Sequence, residues 1–160
     1  MKESVKDLKN REAGTMFRHD QPWVRIQFRG ACSRDETIAG VVAQAATHCS
    51  PEWITRWAAG DQIGRTRITH QRSGFRVEPP PDESIDSLGQ ALDRLLSEVG
   101  GLMREVLGDA SAGDVDYKLH VIVYIIGTAA PDLSMSAEHL KLIAELGVQV
   151  SFDLSVMSES

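Results

Sequence analysis

The residue types that could do chemistry fall into three groups. The first is His48-Cys49 with Cys32 upstream, the one compact set of metal-ligating types. A zinc site needs several ligands that converge on the ion. Neighbours on a chain point in different directions, and neither a CxxC nor an HxxxH spacing occurs. A buried thiol is the commoner fate of such cysteines. The second group is the other histidines and the possible nucleophiles. There is no GxSxG elbow and no Cys-His arrangement of recognisable context. His120 lies on an apolar run beside Lys118, which suits a strand end better than a general base. Glu138-His139 falls in a first helical turn, where the carboxylate favours the positive dipole end. We therefore expect no catalytic residue, no bound metal and no cofactor.

The third group is charged. Arg56, Arg65, Arg67, Arg72 and Arg76 follow one another with only Asp61 as a counter-charge, close to Trp53 and Trp57. Arg65, Arg67 and Thr69 have the parity of one strand face. Cations with stacking rings can line a groove for single-stranded nucleic acid. The net charge of −6 argues against that use, because phosphate binding rests on positive potential. The opposite charge gathers downstream. Asp82, Glu83, Asp86, Asp93, Glu98, Glu105, Asp109, Asp114 and Asp116 stand against Arg94 and Arg104. Residues 1–80 carry 13 Lys and Arg against 9 Asp and Glu, while residues 81–160 carry 4 against 14. Such a field steers encounters with charged partners, unless folding interleaves the two halves. The candidate partner-binding residues are Asp82, Glu83, Asp86, Trp53, Trp57, Arg65 and Arg67.

These residues need elements to position them. At 160 residues, 42% hydrophobic and 25% charged, the chain is long enough for one domain with its own core. Residues 1–21 are polar, of mixed charge and without an apolar h-region, so they read as a mobile leader with no secretory signal. Two cysteines make no disulfide framework, and a reduced, cytoplasmic protein is expected. No apolar run approaches the ~20 residues that span a bilayer, so no membrane partner is expected.

Residues 22–157 then form the single domain. Val24, Ile26 and Phe28 alternate with Arg25, Gln27 and Arg29 in an opening strand. Ser33-Arg-Asp-Glu36 fits a capping box for a helix with Ile38, Val41, Val42 and Ala45 on one face. Trp53 and Trp57, four apart, would share one side of a short helix. Residues 63–69 and 74–77 would form a hairpin. Pro79-Pro80-Pro81 is a stiff stop. Ser84 begins the strongest helix, with Ile85, Leu88, Leu92, Leu95, Leu96 and Val99 spaced at three and four. Gly100-Gly101 is expected to break or kink it. Residues 117–126 are apolar enough for a central strand. Ser136 caps a helix that Gly147 stops, and a strand at 148–154 follows, with Val148, Val150, Phe152, Leu154 and Val156 on one side. This order predicts an α+β two-layer sandwich: a mixed or antiparallel sheet of about four to six strands with helices mainly on one face.

Four pieces of the sequence carry a resemblance. Phe28-Arg-Gly30 leads to Asp35-Glu-Thr-Ile38, and Ala59-Gly-Asp61 precedes Ser73-Gly-Phe75. The helix of residues 85–99 follows. Last, Leu133-Ser-Met-Ser-Ala-Glu-His-Leu-Lys-Leu-Ile-Ala-Glu-Leu-Gly147 runs into Val148-Gln-Val-Ser-Phe-Asp153. With these pieces the chain resembles, over roughly residues 23–156, a bacterial family known as domain of unknown function 4279. Phe75 stands where that family usually has Trp, and residues 48–57 lack its usual Pro-Thr pair. The resemblance implies an α+β fold and carries over no catalytic residue. Families of this kind often occur near contact-dependent or secreted toxins, which implies an immunity role. The leading expectation is a non-enzymatic interaction protein that neutralises a cognate toxin domain by occluding its active site. Its acidic side chains would supply association rate and its aromatic ones anchor energy. The alternative is a small-ligand-binding or regulatory module of the same fold, using a cleft near Trp53, Trp57 and the hairpin.

Overall fold

The computed structural model describes residues 21–109 and 113–158. The expected leader lies outside them except for Gln21, as does part of the acidic loop, residues 110–112. Five strands form one sheet in the order β2-β3-β1-β4-β5. They are β1 (Trp23–Cys32), β2 (Ile54–Trp57), β3 (Ser73–Val77), β4 (Asp116–Ile126) and β5 (Gln149–Met157). All neighbours are antiparallel except β4 and β5, which run parallel. Among the described residues three α-helices accompany them: α1 (Asp35–Ala45), α2 (Leu88–Gly108) and α3 (Ala137–Leu146). This is the mixed α+β two-layer sandwich that the sequence predicts.

The period of two in β1 divides the sheet into two faces. Val24, Ile26, Phe28 and Cys32 turn towards the helices and are buried with Phe75, Val77, Leu119, Val121 and Val123 from β3 and β4. Helix α1 adds Ile38, Val41 and Ala45, and α2 adds a stripe from Leu88 through Leu92, Leu95, Val99 and Met103 to Val106. Gly30 belongs to this face for want of space. A Cβ there would come within 2.5 Å of the Phe75 ring. Phe28, Phe75 and Tyr117 meet beside it as stacked and edge-on rings.

Several local expectations need correction. The strongest helix starts at Leu88, capped by the Ser87 hydroxyl accepting from the Gln90 N–H, and not at Ser84. It also runs unbroken through Gly100-Gly101. Two glycines cost about 1 kcal/mol each, but Leu102, Met103 and Val106 continue the buried stripe beyond them, and each such side chain contributes about 1.5–3 kcal/mol. No capping box forms at Ser33-Glu36. The chain stays in β1 through Cys32, so Arg34 takes the cap position without a side-chain bond. Asp35 and Glu36 still favour the helix from its first turn.

Trp53 and Trp57 lie on no α-helix. A 3-10 turn (Pro51–Trp53) passes directly into β2, where β-branched Ile54 and Thr55 pair with β3. The hairpin is therefore β2–β3. Residues 63–69 belong to its long connection, which carries a single bridge between Gln62 and Thr69. Arg65 and Arg67 thus share no strand face, and both are exposed. At the chain's other end the reading holds. Ser136 accepts from the His139 N–H to cap α3, and Gly147 ends it at φ 65°, a left-handed conformation that suits glycine.

Candidate functional site

The predicted site residues do not converge. Asp82, Glu83 and Asp86 sit by the Val24 end of β1, where the Val24 N–H donates to the Ile85 carbonyl. Arg65 and Arg67 project from the connection beyond Trp57 and Ser73, next to the Cys32 end of β1. The ten residues of β1 separate the two groups by about 30 Å. The charge halves are also interleaved. Arg72 pairs with Asp116 at 2.5 Å and Arg34 with Asp114 at 3.8 Å, while Arg56 pairs with Asp35 at 2.8 Å. Two of the five arginines of the basic segment, Arg56 and Arg72, are thereby neutralised.

Two tryptophans fill different places. The Trp57 ring covers Gly74, where a Cβ would approach it to 2.5 Å. Its Nε1–H donates to the Arg72 carbonyl, and His70 stacks on it at 4.6 Å. Trp53 packs partly against the core. It also lines a cleft of about 320 Å³ with Thr55, Arg76, Glu78 and the three prolines. The expected cleft near Trp53 is present, but Trp57 does not line it.

The metal-ligating types are equally dispersed. Cys32 is buried and its thiol donates to the Arg34 carbonyl, while the Cys49 thiol donates to the Ala45 carbonyl. His48 pairs with Glu105 on α2. Among the described residues no cluster of three or more His, Cys, Asp or Glu could hold a metal ion. His139 bridges α3 to α2 through Asp93 at 2.7 Å.

The face of the sheet turned away from the described helices carries a polar network that the sequence reading missed. Glu78, just past β3, accepts from Arg25 at 2.7 and 2.9 Å and from the Gln27 amide at 2.5 Å. Arg25 also donates to the Tyr124 hydroxyl at 3.1 Å, and Tyr124 stacks on Trp23 at 4.4 Å. Burial alone would lower the Arg25 pKa, but the Glu78 charge and these hydrogen bonds raise it overall. His120 is another correction. It sits mid-strand opposite Gln27, with Nδ1 3.0 Å from the Ser151 hydroxyl. Burial, reinforced by Arg29 and Lys118, pushes its pKa down. The sequence signal was the strict alternation of Arg25, Gln27 and Arg29 with apolar residues.

The outer edge of the sheet is the second unabsorbed feature. Val150, Phe152, Leu154 and Val156 lie on the helix side of β5, but only Val150 reaches the core. Phe152, Leu154 and Val156 are 49%, 59% and 70% exposed. Helix α3 leaves them open, and its own Leu140 is 51% exposed. Acidic residues stand around this strip. Glu138 lies on α3, where Glu145 is paired with Lys141, and Asp86 and Asp132 stand at the end where β5 finishes, while Asp153 on β5 points to the other face. The backbones of Asp86 and Asp132 are bonded together there, and the Gly127 N–H donates to the Met157 carbonyl.

The profile of a protein family described as "Domain of unknown function (DUF4279)" matches residues 54–157, from β2 to the end of β5. The chain belongs to this family. The match takes in the β2–β3 hairpin, α2 and the β4-α3-β5 unit, and begins after β1 and α1. No curated protein and no solved structure matches the chain. Every surface described above therefore rests, within this DUF4279 member, on its own geometry. Among the described residues no helix is long and apolar enough to cross a membrane.

Proposed function

We propose that this DUF4279 protein is a non-enzymatic interaction module whose partner is a protein that covers β5. The carrying observation is the row Phe152, Leu154 and Val156, exposed on a nine-residue edge strand. Natural edge strands are usually short, charged or covered, because an open apolar edge invites pairing. Fully burying such a side chain contributes about 1.5–3 kcal/mol, and covering the part of each that is still exposed would contribute a corresponding share before the costs of association. The acidic residues Asp86, Asp132 and Glu138 around it favour a partner with a cationic rim. A second copy is disfavoured. In an antiparallel β5–β5 pair centred on the strand, Asp153 would face its own copy, and like charges directly opposite are destabilising.

The immunity reading is the specific form of this proposal: the partner is a toxin domain with a basic active cleft, neutralised by occlusion in the cytoplasm. The interface then lies on β5 and the neighbouring Asp82–Asp86 end, and not on Trp57, Arg65 and Arg67. A photo-crosslinking residue at Leu154 identifies the partner, and one at Arg65 serves as the control. Purified partner should bind the wild type, lose at least about a hundredfold in affinity to Leu154→Asp, and bind more weakly at high salt. Equal binding by Leu154→Asp refutes the interface. A bound partner that harms no cell when expressed alone refutes the immunity role and leaves the interaction reading intact.

A further inference from the structure

The sheet face turned away from the described helices holds a row of charge that the described residues do not balance. Reading across the sheet, Arg76 lies directly opposite Arg29, and Arg29 directly opposite Lys118. Thr55 and Gln149 occupy the two ends of this rung. Like charges at directly opposed positions are destabilising, and all three sites are only part-exposed. Burial, with the Arg76 charge, lowers the Arg29 pKa. Among the described residues no carboxylate pairs with any of the three. Glu78 is taken by Arg25 and Gln27, and Asp116 by Arg72. Asp153 stands opposite Ile122, two rungs from Lys118.

We propose that this row binds a tetrahedral oxyanion, the phosphate or sulfate group of a small ligand. Two cross-strand arginines offer forked donors suited to such an oxyanion, and Lys118 adds a point charge. Trp57 fixes one fork, with the Arg29 guanidinium 5.2 Å from its ring centroid. The rings themselves are unavailable for stacking a base. Trp57 is enclosed by Gly74 and His70, and Trp23 by Tyr124. The ligand is recognised by its anionic group, and a nucleic-acid strand is disfavoured because the flanking Arg72 is already paired.

The test is titration of the full chain with inorganic phosphate against a constant chloride background, following the arginine side-chain N–H resonances by NMR. Wild type should show saturable shifts at Arg29 and Arg76. Arg76→Gln should bind at least about tenfold more weakly. Lys141→Gln, an exposed cation on α3, should bind as wild type does. Because Arg76→Gln also relieves repulsion, its melting temperature in phosphate-free buffer should equal or exceed that of wild type. Shifts that do not saturate, equal affinity in Arg76→Gln, or a lower melting temperature for it without phosphate would each overturn the site. So would an RNA oligonucleotide that binds more tightly than phosphate and loses as much on substitution of Arg65 and Arg67 as of Arg29.

Discussion

The Arg25–Glu78 pair ties the segment after β3 to the centre of the sheet, and its removal has a calculable cost. In Glu78→Gln the amide keeps the volume but loses the charge that receives Arg25 twice and Gln27 once. An exposed ion pair contributes about 0–1 kcal/mol, whereas breaking a buried one costs about 3–5 kcal/mol. The Arg25 and Glu78 side chains are 24% and 11% exposed, so this pair lies between the limits and nearer the second. The expected loss is about 2–3 kcal/mol. In a domain of this size that corresponds to a fall in Tm of roughly 5–10 °C. Urea unfolding at pH 7 measures the loss directly, with an unchanged slope showing that the unfolded state is not altered. The double variant Arg25→Met/Glu78→Leu should recover part of it, since no charge is then stranded. A cost below about 0.5 kcal/mol, or its disappearance in 0.5 M salt, would show that the pair behaves as an exposed one.

Two further outcomes follow from the same face. Gly74→Ala places a Cβ 2.5 Å from the Trp57 ring and 2.8 Å from the Gly30 carbonyl, so the indole must move. We expect about 1–3 kcal/mol of destabilisation with a red-shifted tryptophan emission, and an unchanged spectrum would refute the close packing. His120 has a folded pKa below its ordinary 6.5, so the unfolded chain binds its proton more readily. Its contribution is complete above about pH 6.5 and is lost as pH falls towards the lowered folded value. Stability profiles of wild type and His120→Gln should diverge across that window. Parallel profiles would sink the assignment.

The fold was legible wherever a residue's period agreed with its eventual partner. In β1, Val24, Ile26 and Phe28 announce a buried face two residues at a time, and Ser136 and Gly147 bracket α3 by their own chemistry. Reading failed where two local signals competed. Gly100-Gly101 signals a break, yet the stripe resumes at Leu102 and Met103, and burial outweighs propensity. Trp53 and Trp57 have helical spacing, yet Ile54 and Thr55 between them prefer a strand, and β3 supplies one to pair with. Residues 63–69 place Arg65, Arg67 and Thr69 at one strand parity but have nothing to bury. Ile68 remains 65% exposed, so the pattern stays a loop.

The surfaces were harder to read because neither is a property of one segment. Val148, Val150, Phe152, Leu154 and Val156 form a visible apolar row, but a row says only that something covers it. Whether that is this chain's own helix depends on where α3 lies, and α3 leans on α2 through His139 and Asp93. The uncovered remainder is therefore a tertiary fact. The cation row is more remote still. Arg29, Arg76 and Lys118 come from three strands, and only the register of β1 with β3 and β4 makes them neighbours. The sequence did mark each as the polar member of an alternating strand. Polar alternation on a sheet normally means a face open to water. Here it includes a 2%-exposed Gln27 and a largely buried ion pair, so this face is organised beyond what solvation requires. One sheet thus presents an apolar edge suited to a protein and a cationic floor suited to a small anion. Because β4 carries Lys118 and also pairs with β5, an anion seated on the row and a protein seated on the edge would contact adjacent strands.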